Sequence, residues 1–298
     1  RAHGDVNPEY ENDFVFTNDF ASLLPDTQKE DFDHKGLFKS KTVQGTCEVI
    51  CFTPKHNLTL AEMSEDDLTQ VVDLWQRRTN ELGENFNWVQ IFENKGAMMG
   101  CSNPHPHGQI WAIDELPEEA KKEVKTQKEY FKNNDSQLLI DYAEAESEKG
   151  TRTVAENDNW LIVIPYWAVW PFESLVIPKK QVGRLTELSQ KQKTQLAESL
   201  KELLVRYDNL FKTSFPYTMG WHQTPFNMDD EYWTLHGHFY PPLLRSRNVK
   251  KFMVGYEMLS EVGRDLSAST LHTCPSPSAS SLHSILVKTD SFLSIRRV

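Results

Sequence analysis

His105, His107 and Gln109 stand at alternate positions within Asn103-Pro104-His105-Pro106-His107-Gly108-Gln109. A β-strand projects residues i, i+2 and i+4 from one face, so two imidazoles and an amide are expected to converge on one patch. Pro104 and Pro106 fix φ and remove two backbone donors, which predicts a stiff edge strand or the approach to one. Imidazole serves as nucleophile, base or metal ligand, whereas an amide only donates or accepts hydrogen bonds. Together they predict covalent catalysis with a hydrogen-bond clamp. A neutral His107 can attack phosphorus and split one transfer into two in-line displacements through a phosphoramidate. One ring nitrogen must then be bare while the other N–H is held, and the His105 carbonyl, two residues back, is in reach. Gln109 can donate to the phosphoryl oxygens as charge builds there, worth about 3–4 kcal/mol for one preorganised donor. Gly108 permits close approach, and Ser102 with neighbouring amides supplies further donors. An amide at 109, unlike a third imidazole, cannot activate water, so transfer to a second phosphate should outrun hydrolysis.

A second group, Glu123, His222, His236 and His238, offers three imidazoles and a carboxylate, a donor set that suits Zn²⁺ or Fe²⁺. His236 and His238 share a strand face, but Glu123 is distant in sequence. The competing reading is a pair of satisfied histidines packed among Trp233, Phe239 and Tyr240. Cys47 and Cys51 could form a metal pair, yet in a strand their spacing simply puts both on one buried face. With Cys101 and Cys274 the chain has four cysteines. They are too scattered for a disulfide scaffold, which predicts a reducing cytoplasm.

The elements that must position these residues come in duplicate. Glu48-Val49-Ile50-Cys51-Phe52-Thr53-Pro54-Lys55 reads as a buried strand ending in a Pro-Lys turn, and Glu173-Ser174-Leu175-Val176-Ile177-Pro178-Lys179 reads the same way. Each precedes a helix with a capping signal. Ser64 and Asp67 open the first, with Leu68, Val71, Val72 and Trp75 at helical spacing. Ser189 and Gln192 open the second, with Leu196, Leu200, Leu203, Leu204 and Tyr207. Strands follow around 88–93 and 217–222, and each half then reaches a His-x-His, His105/His107 in one and His236/His238 in the other. The expected class is α+β, two repeats sharing a largely antiparallel sheet with helices on one side. The expected division is 1–117, a charged connector 118–150 broken near Asn133-Asn134-Asp135 and otherwise a solvated face, 151–267, and a disordered tail 268–298.

The 298 residues carry a net charge of −11, which argues against a nucleic-acid backbone as partner. The longest apolar run, 160–172, is interrupted by Pro165 and Pro171 and is too short to span a bilayer, and no signal-like start is seen. A start at Arg1 rather than Met predicts a fragment or processed form.

The 103–109 motif, with Phe92-Glu93-Asn94-Lys95-Gly96 upstream, resembles the galactose-1-phosphate uridylyltransferase family of the histidine-triad superfamily. So do Val15-Phe16-Thr17-Asn18-Asp19-Phe20, the run 165–173, His236-Gly237-His238-Phe239-Tyr240-Pro241-Pro242-Leu243-Leu244-Arg245 and Lys251-Phe252-Met253-Val254-Gly255-Tyr256-Glu257. The resemblance spans roughly residues 4 to 266 and implies a half-barrel sheet, UDP-glucose and galactose 1-phosphate as substrates, and ping-pong exchange through a uridylyl-histidine. By it, His107 matches the nucleophile and Gln109 the phosphate clamp. Asn18, Asp19, Phe20, Val49 and Asn94 match positions around uracil and ribose. Glu123, His222, His236 and His238 match a structural iron or zinc site, and His56 and His105 two ligands of a second zinc. Lys251, Phe252, Val254, Gly255, Tyr256 and Glu257 match a segment that contacts the hexose across a homodimer interface. Three departures stand out. The family's Cys-x-x-Cys pair and phosphate-approaching arginines would precede Arg1, Gly263 replaces a glutamine, and the last thirty or so residues leave the family pattern. Two other readings remain: a dinucleoside polyphosphate phosphorylase or related nucleotidyltransferase, separable by nucleotide preference, and a truncated nucleotide-binding isoform that dimerises without catalysis.

Overall fold

The computed structural model describes residues 4, 6–101, 103–229 and 231–263. Ser102 and the tail from 268 onward therefore lie outside the described residues. One antiparallel sheet of nine strands organises the chain, in the order β1-β4-β6-β5-β10-β11-β9-β8-β7. The first repeat contributes β1 (Phe14–Thr17), β4 (Gly45–Cys51), β5 (Trp88–Lys95) and β6 (His107–Ile113). From the second come β7 (Thr153–Glu156), β8 (Trp160–Val163), β9 (Ser174–Pro178), β10 (Tyr217–His222) and β11 (His236–Tyr240). The copies meet at the centre, where β5 pairs with β10 and Thr218 stands opposite Asn94. Two small hairpins, β2 (Phe32–His34) with β3 (Phe38–Ser40) and β12 (Leu243–Ser246) with β13 (Val249–Lys250), stand apart from the sheet.

The caps foreseen from sequence form as expected. Ser64 accepts the Asp67 N–H ahead of α1 (Glu65–Gly83), and Ser189 with Gln192 makes a full capping box ahead of α4 (Gln190–Phe211). Each helix buries one stripe, with Leu68, Val71, Val72 and Trp75 on α1 and Leu196, Leu200, Leu203, Leu204 and Tyr207 on α4. Both stripes pack over Ile50, Ile91, Ile110, Ile162 and Val176 in the main core.

The connector differs from its expected form. It breaks at Asp135, whose φ of 53° closes α2 (Glu118–Asn134), and α3 (Leu138–Lys149) follows. Neither helix is merely a solvated face, and neither shares the side of α1 and α4. Strands β8 and β9 are apolar on both faces. Ile162 and Val176 point to the main core, while Leu161, Val163, Leu175 and Ile177 pack against Leu139 and Ala143 of α3. Two-sided burial of a sheet requires cover on both sides. Ala120 of α2 likewise joins Trp88, Tyr232 and Trp233. No helix among the described residues is long and apolar enough to cross a membrane.

Candidate active site and metal centre

His107 opens β6, which is an interior strand rather than an edge, paired to β4 on one side and β5 on the other. Pro104 and Pro106 lie in the approach, where their missing N–H groups cost no ladder bond. His107 and Gln109 share one face of the sheet. Cys51 stands opposite His107 on β4, while Val49 and Phe92 flank Gln109 from β4 and β5. Nδ1 of His107 lies 2.7 Å from the His105 carbonyl, which fixes Nδ1 as the protonated nitrogen because a carbonyl only accepts. Nε2 has no hydrogen-bond partner among the described residues. Gly108 leaves no room for a side chain on the opposite face, where a Cβ would meet the Phe52 ring at 2.9 Å and the Phe92 carbonyl at 3.0 Å.

His105 lies before β6, in the approach to the strand. Its ring is buried, with Nε2 3.0 Å from the Tyr10 hydroxyl and Nδ1 2.8 Å from His56 Nδ1. Burial, with His56 and His107 alongside, lowers its pKa. His56 and His105 thus pair as imidazoles, but among the described residues no third carboxylate, thiol or imidazole completes a ligand group with them. Cys47 and Cys51 are buried, free and outside any such group.

Asn18 follows β1, its N–H donating to the Cys47 carbonyl at 2.8 Å and its Oδ1 accepting the Phe20 N–H at 2.9 Å. Asp19 is half-buried and Phe20 is exposed. Asn94 lies on the His107 face of β5, its Oδ1 accepting the Thr218 hydroxyl at 2.8 Å. The segment after β13 is more open. Lys251 is buried, its Nζ donating to the Gly263 carbonyl at 3.1 Å and lying 4.0 Å from Glu257. Phe252, Val254 and Tyr256 are exposed, at 64%, 58% and 67%. Gly255 has a φ of 52° and a ψ of −113°, a conformation side chains resist, and it precedes the short helix α5 (Tyr256–Leu259).

The second group does assemble. Ligand atoms of Glu123, His222, His236 and His238 all lie within 4.8 Å of one another. Both Glu123 oxygens are 2.9 Å from His222 Nδ1, and Glu123 is 3.5 Å from His236 Nε2 and 3.8 Å from His238 Nε2. The outer nitrogens are held: His236 Nδ1 lies 2.8 Å from the Thr234 carbonyl and His238 Nδ1 3.1 Å from the Tyr240 hydroxyl. That leaves Nε2 of each facing the group, the arrangement in which histidines ligate metals. Nε2 of His238 is buried and without a hydrogen-bond partner, which a cation would satisfy. Burial, with His236 and His222 close by, keeps the His238 pKa well below the usual imidazole range. Burial alone would raise the Glu123 carboxyl, but the neighbouring His236 and His222 outweigh it and hold it well below the carboxylate range.

The ladder also sets the register of the duplication. His107 and His236 are each followed by glycine and each hold Nδ1 on the carbonyl two residues back. Gln109 therefore corresponds to His238, not to a residue beyond it, and the Pro54/Pro178 alignment is out of register by two residues. Consistently, Val49 faces Gln109 where Leu175 faces His238, and Gly108 faces Ile50 where Gly237 faces Val176. Trp111, Thr218, Thr234 and Tyr240, which contact Gln109, Asn94, His236 and His238, are residues that the sequence reading assigns no such contacts. Period-two spacing from Gln109 and His238 would have found Trp111 and Tyr240.

A doubled antiparallel sheet with an open-sided histidine on one inner strand and a His₃Glu cage three strands away is the uridylyltransferase fold. A solved uridylyltransferase structure superposes with a TM-score of 0.80 at 24% identity, covering 89% of this chain and 85% of that one. Residues 1–117 match the family description "Galactose-1-phosphate uridyl transferase, N-terminal domain", and residues 123–284 match the corresponding C-terminal domain, so that match extends past residue 267. Galactose-1-phosphate uridylyltransferase of Haemophilus influenzae is 52% identical over 269 residues, covering 90% of this chain and 77% of the relative. That of Rattus norvegicus is 47% identical over 271 residues, covering 90% and 72%. The chain belongs to the galactose-1-phosphate uridylyltransferase family.

Proposed function

We propose that the chain exchanges UMP between UDP-glucose and galactose 1-phosphate through a uridylyl-His107 intermediate. The observation that carries this reading is the His107 ring, anchored through Nδ1 to the His105 carbonyl with Nε2 open on the face it shares with Gln109. The Nε2 lone pair attacks the α-phosphorus of UDP-glucose, and the bond to the bridging oxygen breaks, releasing glucose 1-phosphate. A phosphate oxygen of galactose 1-phosphate then attacks the same phosphorus, the P–N bond breaks, and UDP-galactose leaves. The Nδ1–H to carbonyl bond supports the positive charge that the ring gains on attack, and Gln109 donates its amide N–H to the non-bridging oxygens. Ser102 is a further donor. His105 positions His107 through its carbonyl.

Asn18, Asp19, Phe20, Val49 and Asn94 surround the uracil and ribose. Support comes from the ladder, which sets Val49 and Asn94 on the Gln109 face. Lys251, Phe252, Val254, Gly255, Tyr256 and Glu257 reach the hexose in the other subunit of a homodimer, and the apolar side chains that this segment leaves in water favour an interface. Glu123, His222, His236 and His238 hold zinc or iron, which ties α2 to β10 and β11 and takes no part in the transfer. His56 and His105 are half of a second zinc site. Free buried thiols favour the cytoplasm.

Isotope exchange tests the ping-pong reading. Labelled glucose 1-phosphate should enter UDP-glucose without galactose 1-phosphate present. Exchange that requires the second sugar phosphate would mean direct transfer and no covalent enzyme.

A further inference from the structure

We propose that Trp111 is a positioning residue for the transfer: its indole N–H holds the oxygen of the Gln109 amide and so commits the amide N–H₂ to the phosphoryl group. The inference rests on the reading of Gln109 as the phosphoryl donor. A primary amide has two ends of nearly equal size, and only the nitrogen end stabilises an anion. A flipped amide would aim its oxygen at the phosphoryl oxygens and repel them. Some neighbour must therefore distinguish the two ends, and an indole does so without ambiguity because it can only donate.

The geometry supplies that neighbour. Trp111 Nε1–H donates to Gln109 Oε1 at 3.3 Å from the same strand face, two residues along β6. The indole is itself braced, edge-on to Phe92 at 5.9 Å and 77°. Cys47 faces it across β4 and Gln90 across β5. Gln109 Nε2 has no partner among the described residues, so the indole is what tells its two ends apart.

Two comparisons inside the molecule support the assignment. Trp88 Nε1–H donates to Gln90 Oε1 at 3.2 Å, and the Gln90 nitrogen then donates to the carbonyls of Ile91 at 3.1 Å and Trp221 at 2.9 Å. The same indole–amide contact thus turns an N–H₂ toward acceptors, which at Gln90 are backbone and at Gln109 are left for a ligand. In the second repeat Tyr240 occupies the place of Trp111, two residues beyond His238, and its hydroxyl holds His238 Nδ1 at 3.1 Å. In both copies the residue two positions on orients the working side chain.

The test is a double-mutant cycle on the full chain, read by the rate of uridylyl-enzyme formation from UDP-glucose. Trp111→Phe removes the N–H and keeps a ring against Phe92. It should slow that step about 10-fold, with little change in the KM for UDP-glucose, while Gln109→Ala slows it roughly 10²-fold or more. Combined, Trp111→Phe should add no further loss to Gln109→Ala. An equal loss from Trp111→Phe in both backgrounds would assign Trp111 to packing alone and overturn the proposal. So would an unaffected Trp111→Phe beside an impaired Gln109→Ala, with the role of Gln109 left standing. A fully active Gln109→Ala would instead overturn the reading of Gln109 itself.

Discussion

The two repeats place the same backbone under different side chains. In the first, His107-Gly108-Gln109 sits beside Asn94; in the second, His236-Gly237-His238 sits beside His222. Both histidines hold Nδ1 on a carbonyl two residues back, which leaves Nε2 without a protein partner among the described residues at His107 and facing Glu123 at His236. The sites then part. Around His107 the positions that match the second copy's other imidazoles carry the amides of Gln109 and Asn94, which offer N–H donors and suit an anion. Around His236 they are imidazoles, which offer lone pairs and suit a cation, and α2 lays the Glu123 carboxylate over them. Two substitutions and one covering helix separate a cluster suited to an anion from one suited to a cation, three strands across the sheet. A histidine's chemistry here is set by what its strand neighbours can donate or accept, not by the imidazole.

Four changes would break or sharpen that contrast. His107→Gly should cost the largest factor, roughly 10⁴-fold or more in transfer, because it removes the proposed nucleophile itself. Steady-state assay with a melting curve checks that the loss is not unfolding. Gln109→Ala should cost roughly 10²–10³-fold in kcat. The sharper variant is Gln109→His, which makes the first copy resemble the second. Transfer should fall, and slow release of UMP to water should appear, since an imidazole can activate water where an amide cannot. UMP release no greater than that of Gln109→Ala would show that residue 109 does not decide between water and sugar phosphate.

In the metal cage, Glu123→Ala should lower bound zinc or iron to well below one per chain by plasma mass spectrometry. It should also destabilise the protein by about 3 kcal/mol, as it leaves three imidazoles facing one another without their carboxylate. Unchanged metal content would remove Glu123 from the ligand set. The smallest effect is on pH. Folding keeps the His238 pKa well below its ordinary 6.5 because the ring is buried beside His236 and His222. Below pH 6.5 the unfolded chain therefore binds a proton that the folded chain refuses, and stability falls by up to about 1.4 kcal/mol per pH unit from this group. Thermal melts of chelated protein at pH 7.5 and 5.5 should show the decline, and His238→Asn should lessen it. An equal slope in both proteins would mean that His238 is not its source.

What could be read from residues alone was the local part. Ser64 and Ser189 announced α1 and α4 because capping is settled within four residues. His107 with the His105 carbonyl was legible for the same reason. The register between repeats was not, since Pro54 and Pro178 mark where strands end rather than which residues face each other. The connector is hard to read because its many Lys and Glu residues hide a stripe of Ala120, Glu123 and Gln127, and the demand for that stripe comes from Trp88, Trp233 and the His cluster, far away in sequence. Trp111 reads in sequence as an aromatic on a strand, where packing is the ordinary role. Its N–H acquires meaning only when Gln109 is seen beside it.

Intact-mass spectrometry of the chain incubated with UDP-glucose, alongside His107→Gly, tests the central claim most directly. The parent should gain the mass of one uridylyl group, lose it on addition of galactose 1-phosphate, and yield UDP-galactose, while the variant gains nothing. A folded parent that shows no adduct, or an adduct that persists in His107→Gly, would contradict His107 as the nucleophile.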